Sequence, residues 1–405
     1  MSNESSLRSD PTDPAEAVGN DEFAATYREN LADTLNLDSW HSGTDLASLY
    51  SRLESEVAEA VRSETAIEEQ VRETVFPRLA TRPGAPDCAG VYTLDVADLP
   101  RLHQQVLFAG EVEACDGTSV VHDTLPVTIV QLGVALVSYH GDEGTWSHRL
   151  YRRDLRAAGI DPIEETLDLL DQRKKRAGLG LSDRRDQLTD LARRGLMTYA
   201  ERAVLLQRSS ATWRMGHGNP TPYELITGSG MPELVDASVV MLRELISDHQ
   251  KFVFVPSAPA QRHYLTLGNA LRPLEYAIID TAQSQLEAVA SGGYRGSEWG
   301  PRGSLVAKFA EEIGPEIVLG AFRSSALAPA HLFYAHREHA HAAAAIAIAD
   351  GALQEHRGFP MLIDIADAVC SSTFDSSSFA ASIQAAYSIA GAPYRYLSER
   401  QSRTK

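Results

Sequence analysis

The chain has 405 residues, 43% hydrophobic and 23% charged, a balance that suits a globular protein with a full core. No apolar run approaches the roughly 20 residues that span a bilayer, which speaks against a membrane protein, and three cysteines speak against a disulfide framework or a cysteine zinc cage. A net charge of −18 argues against a uniformly basic nucleic-acid binder. It leaves room for a local arginine-lined groove, because nearly all the cations are arginine, the better bidentate phosphate ligand.

Residues 1–22 are rich in Ser, Asp and Glu and lack the basic-then-apolar order of a signal peptide, so they read as a disordered leader of a cytoplasmic protein. From Thr44 to Phe76 the residues Leu46, Leu49, Leu53, Val57, Val61, Ile67 and Val71 recur at helical spacing, which predicts a long amphipathic helix ended by Pro77. Such a helix either packs on its own domain or serves as a dimerisation or partner arm. The Pro/Gly stretch 81–86 marks the expected boundary between a helical N-terminal region, 23–86, and a main domain, 87–405.

Strands are predicted at Val112–Cys115, Thr124–Tyr139 and Thr145–Tyr151, separated by turn-rich segments at Asp116-Gly117-Thr118 and 140–144. Helical patterns follow at Ile163–Lys174 and Ser182–Arg208. Thereafter strand and helix alternate: strands at Ala211–Met215, Phe252–Pro256 and Glu316–Phe322, helices at Pro232–His249 and His336–His356. An antiparallel meander followed by alternating strands and helices is the order of an α/β fold with a ribonuclease-H-like mixed sheet.

Several polar residues stand where chemistry could be done. Asp116 closes a predicted strand, a place for a carboxylate ligand of a hard cation, although Asp-Gly is also a common turn dipeptide. Glu201 lies close to the apolar face of the 182–208 helix, where it could reach a shared metal from the side or simply pair with Arg202 or Arg208. His217 sits between two glycines at a strand end and reads equally as a ligand or base and as a turn residue; Glu224 is a nearby carboxylate. His331, His336, His339, His341 and His356 form the densest polar cluster. Their order is not that of a His-Glu-x-x-His zinc site, so a helix start facing a cleft is favoured over structural zinc. Asp364 and Asp367, three apart in an apolar segment, need a partner, either a metal or an arginine such as Arg357 or Arg395.

This succession of Asp-Gly-Thr at a strand end, an Ala-Glu-Arg helix, a second Gly-rich strand end and a late Gly-Phe-Pro-x-Leu-x-x-x-Ala-Asp segment resembles the NurA nucleases over roughly 112–403. The resemblance implies a Mn²⁺-dependent (or Mg²⁺-dependent) DNA-end nuclease, a homodimer that works with a HerA-like hexameric ATPase in repair or defence. It implies Asp116 as the first metal carboxylate and Glu201 as the acidic residue of the helix. Two positions depart from the family pattern: His217-Gly218 stands where Asp-Gly is usual, and Ala366-Asp367 where Ala-His is usual. If His217 and Asp367 face one metal, the exchange keeps one imidazole and one carboxylate; if they do not, the chain is a non-cleaving relative acting as a DNA clamp or assembly factor. The resulting expectation is Asp116, Glu201 and Asp367 as metal ligands, His217 as ligand or proton carrier, and Arg272, Arg295, Arg323 and His336 as DNA contacts.

Overall fold

The computed structural model describes residues 20–40, 46–124, 127–153, 184–258, 263–292 and 299–394, with a few positions between 161 and 170. Most of the predicted helix 163–174, and Arg295, lie outside the described residues. The chain divides into two compact units, Met1–Ala66 and Ile67–Lys405.

In the first unit a short helix, Asn20–Tyr27, precedes the long helix α1 (Leu46–Thr74), whose last two turns belong to the second unit. The apolar residues Tyr50, Leu53, Val57 and Val61 of α1 are 52% to 61% exposed, so the periodicity made the helix without burying its apolar row. Pro77 lies in the first turn of a 3₁₀ segment, Phe76–Thr81, where its missing N–H costs nothing.

Among the described residues the second unit is built on one mixed sheet of nine strands: β1 (Gly90–Thr93), β2 (Val112–Asp123), β3 (Val127–Ser138), β4 (Gly141–Arg153), β5 (Trp213–His217), β6 (Phe252–Val255), β7 (Glu275–Thr281), β8 (Ile317–Phe322) and β9 (His331–His336). Their spatial order is β1-β7-β8-β9-β6-β5-β2-β3-β4. β2, β5 and β6 run parallel, and every other neighbouring pair is antiparallel.

Two strand expectations are corrected. β2 does not stop at Cys115 but runs through Asp116-Gly117-Thr118, with Asp116 opposite Ala135 and Gly117 opposite Val134. β3 is buried along almost its whole length, and its main-chain groups need a partner over that entire span, which overrides the turn preference of Asp-Gly. Likewise His331–His336 is a strand rather than the approach to a helix. Leu332, Phe333, Tyr334 and Ala335 are buried on both faces of a central strand, and the helix begins only at Ala340. β1 and β7 carried too short or too irregular a pattern to be anticipated.

Successive side chains point to opposite faces of the sheet, and each face has its own core. Cys115, Phe252, Phe254, Ala277 and Ile279 pack on one side with Leu205 of α2 (Arg184–Gln207), Leu242 of α3 (Pro232–Arg243) and Phe309 of α4 (Arg302–Ile313). Ala114, Val253, Val255, Tyr276 and Ile278 pack on the other with Ala347 of α5 (Ala340–Ala352) and Leu362 and Ile363 of α6 (Met361–Thr373). All three cysteines are free thiols. Among the described residues no helix is long and apolar enough to cross a membrane.

Candidate active site

The carboxyl ends of the parallel strands β5 and β6, together with the start of β9, open onto a cleft, the place where α/β sheets commonly hold ligands. The pleat decides which residues enter it. Met215 is buried in the core on the α5/α6 side, so His217, two residues on, projects from the same face as the chain leaves β5. Asp116 follows Ala114 in the same way, placing its 6% exposed carboxylate beside the histidine.

His217 Nδ1 lies 3.5 Å from Asp116 Oδ1, and His217 Nε2 lies 2.8 Å from the hydroxyl of Ser257, just beyond β6. Asp116 Oδ1 also accepts the backbone N–H of Gly117 at 2.9 Å. The hydrogen bond to Asp116, aided by its charge, raises the imidazole pKa above its ordinary value against the opposing effect of burial.

α6 forms the facing wall. Asp350, fully buried in α5, accepts the N–H of Leu362 at 3.0 Å and the hydroxyl of Tyr139, so the first turn of α6 is pinned from behind. From α6, Ile363, Asp364 and Asp367 reach the same cleft of about 510 Å³ that Asp116, His217 and Ser257 line. Asp364 is engaged by Arg357 and by Gln354 Nε2 at 2.6 Å, the arginine partner anticipated from the sequence. Asp367 accepts a 3.3 Å bond from Ser371 and has no arginine partner among the described residues.

Glu201 stands apart. It comes from α2, on the opposite side of the sheet, and does not line the cleft. Its carboxylate presses on the main chain of β2, where a Cβ at Gly117 would lie 2.5 Å from Oε1. Arg202 Nη1 binds Oε2 at 2.5 Å in a pair whose side chains are 4% and 12% exposed, so this is a buried pair rather than a surface one. Arg202 also donates to the carbonyl oxygens of Asn219 at 2.6 Å and His217 at 3.2 Å, which ties α2 to the turn that carries the histidine. Burial raises the Glu201 pKa, with Asp116 adding to the rise and Arg202 opposing it.

Two carboxylates and an imidazole facing one cleft are the donor types of a hard or borderline divalent cation, so the chemistry of the set fits Mn²⁺ or Mg²⁺. Among the described residues no three His, Cys, Asp or Glu side chains are gathered closely enough to hold an ion as they stand. Asp116 and Asp367 both line the cleft.

The other expected DNA contacts fall elsewhere. Arg272 is exposed and borders a smaller cavity of about 150 Å³ with Arg72 and Arg323. Arg323 is committed to the carbonyl oxygens of Leu271, Ala326 and Ala328 at 3.1 to 3.2 Å and works as a tie at the end of β8. His336 is 3% exposed and accepts the Glu338 N–H at 3.2 Å, so burial removes it from any DNA surface. His339 and His341 are likewise off the cleft, His341 Nδ1 bonding the Tyr276 hydroxyl at 3.0 Å. His331 and His356 do border it. Ser257 was not anticipated, because nothing in Val255-Pro256-Ser257 marks a hydroxyl that only the parallel pairing of β5 with β6 brings beside His217.

No protein-family model matches the chain, and no curated protein matches it. Among solved structures, the NurA nuclease from Sulfolobus solfataricus is similar at a TM-score of 0.39 and 10% identity, over 72% of this chain and 93% of that one. A structure of NurA with manganese gives a TM-score of 0.34 and 9% identity over 78% and 95% of the two chains. A further NurA structure gives 0.37 and 8% over 81% and 95%. At these values the likeness is distant.

Proposed function

We propose that the chain is a metal-dependent deoxyribonuclease that processes DNA ends. The observation that carries this reading is the convergence of Asp116, His217 and Asp367, from three segments spread over 250 residues of sequence, on one open cleft at the carboxyl ends of the parallel strands. Asp116 and Asp367 are the residues that would hold Mn²⁺ or Mg²⁺, which, when bound, stabilises charge on phosphodiester oxygens. Asp116 lies beside Nδ1 of His217, and Nε2, next to the Ser257 hydroxyl, is the atom that would take a proton from an attacking water. Glu201, beneath Gly117, supports the strand that carries Asp116. The motif resemblance supports the same reading, and with it a ribonuclease-H-like arrangement, a cytoplasmic homodimer and a HerA-like ATPase as partner in repair or defence.

The test is degradation of linear DNA by the purified full chain with Mn²⁺, alone and with a HerA-like ATPase. Asp116→Asn and Asp367→Asn should each lower the rate at least about 100-fold with an unchanged circular-dichroism spectrum, a loss typical of removing one electrostatic catalytic group. Undiminished cleavage by Asp116→Asn, or none by the wild type under either condition, overturns the reading.

One observation favours a second reading: the donors are not gathered into a closed ligand set. On it, the chain is a catalytically impaired nuclease-fold subunit that clamps DNA on a translocase ring, docking through the exposed row of α1. Unchanged biological activity of Asp116→Asn, with partner binding intact, would support that subunit role.

A further inference from the structure

We propose that Asp116, His217 and Ser257 form a nucleophilic relay that hydrolyses small uncharged carboxylic esters without a metal, an activity separate from DNA cleavage. The order of atoms carries the inference. A buried carboxylate lies 3.5 Å from Nδ1 and a hydroxyl 2.8 Å from Nε2, so in the tautomer protonated at Nδ1 the ring turns its proton toward Asp116 and its lone pair toward Ser257 Oγ. A surface serine bonded to a histidine is commonplace. The distinguishing features here are the carboxylate behind the ring and an exposed hydroxyl lining a cleft of about 510 Å³.

The lining selects the substrate class. Asp116, Asp364 and Asp367 outnumber the single guanidinium of Arg357, which is already paired with Asp364, so an anionic ester meets net negative charge. Pro329, Phe359 and Ile363 supply apolar wall, which suits a short neutral acyl or alkyl group. In the first step Ser257 Oγ attacks the ester carbonyl carbon and its proton passes to His217 Nε2. The C–O bond to the alcohol then breaks, and the alcohol leaves with that proton. Water attacks the acyl-serine, its proton passes through Nε2 to Ser257 Oγ, and the carboxylic acid is released.

The experiment uses the full chain in EDTA with 4-nitrophenyl butyrate as substrate and a fluorophosphonate as label, the labelled peptide being identified by mass spectrometry. The expected result is hydrolysis above buffer and a phosphonyl adduct on Ser257. Ser257→Ala, at an exposed position that does not threaten the fold, should remove the adduct and lower hydrolysis at least 100-fold. His217→Gln should lower both by 100- to 10,000-fold, the range for losing a general base. No adduct on the wild type, an adduct on another residue, or hydrolysis unchanged in Ser257→Ala overturns the proposal. None of these outcomes bears on DNA cleavage with Mn²⁺, so the two readings fail separately.

Discussion

Glu201 lies against the main chain of Gly117, so close that a Cβ on that glycine would meet its Oε1 at 2.5 Å and its Cγ at 2.9 Å. The glycine of Asp-Gly is therefore a packing requirement in mid-strand, not a turn device. Gly117→Ala should cost about 1–3 kcal/mol, as overpacking does. Adding Glu201→Ala should recover part of that loss, because the two sites share one contact. Urea unfolding of the two single variants and the double variant measures it; strictly additive effects would show that the contact does not matter.

The Glu201–Arg202 pair is almost wholly buried, and the two halves are not equivalent. Arg202 also holds the carbonyl oxygens of His217 and Asn219. Arg202→Met strands a buried carboxylate and frees both carbonyls, so it should cost about 3–5 kcal/mol. Glu201→Gln keeps the shape and removes a charge that burial already disfavours, so its cost should be clearly smaller. Denaturant midpoints of the two variants compare them directly, and equal costs would contradict the asymmetry.

Asp350 is fully buried, and burial pushes its carboxyl up to about 6 despite the hydrogen bonds from Tyr139 and Leu362. The folded protein therefore holds this proton more tightly than the unfolded chain does. Its contribution to stability is whole below about pH 4 and falls as pH rises toward 6, by up to about 1.4 kcal/mol per pH unit. Asp350→Asn removes that slope while preserving an acceptor for one donor. Thermal unfolding of both proteins between pH 4 and 7 should show the wild type losing stability relative to the variant across that window; parallel curves would rule this out.

Asp364 and Asp367 sit three residues apart on α6 and border the same cleft, but Asp364 is held by Arg357 and Gln354 while Asp367 meets only the Ser371 hydroxyl among the described residues. Asp364→Asn should leave Mn²⁺-dependent cleavage within about tenfold of the wild type, one tenfold step being about 1.4 kcal/mol. Asp367→Asn should lose at least 100-fold. Rates on linear DNA decide it, and the reverse ranking would reassign the two carboxylates.

Removing metal is the remaining check on the proposed nuclease. EDTA should abolish DNA cleavage, and excess Mn²⁺ or Mg²⁺ should restore it, since Asp116 and Asp367 offer hard oxygen donors. Cleavage that persists in EDTA would place the chemistry on the protein's side chains alone.

Much of this architecture follows from local pattern. The spacing of Leu188, Leu191 and Leu196 and the residues after them marks the helix observed at Arg184–Gln207, and the β-branched run 127–138 marks a buried strand. The apolar segment after Gly358-Phe359-Pro360 likewise becomes α6, with Asp364 matched to Arg357. These are signals of period 3.6 or 2, and each is complete within a dozen residues. Only the tertiary structure decided that Asp116 lies inside a strand, because the demand for its hydrogen bonds comes from β3 and not from its own neighbours. It also decided that Glu201 lies across the sheet from the cleft, and that Ser257, with no mark in the sequence, bonds His217. Which face a side chain takes, and which distant segment it meets, depends on strand register and strand order. Those are set by burying both faces of the whole sheet at once, a condition that no local stretch of the chain contains.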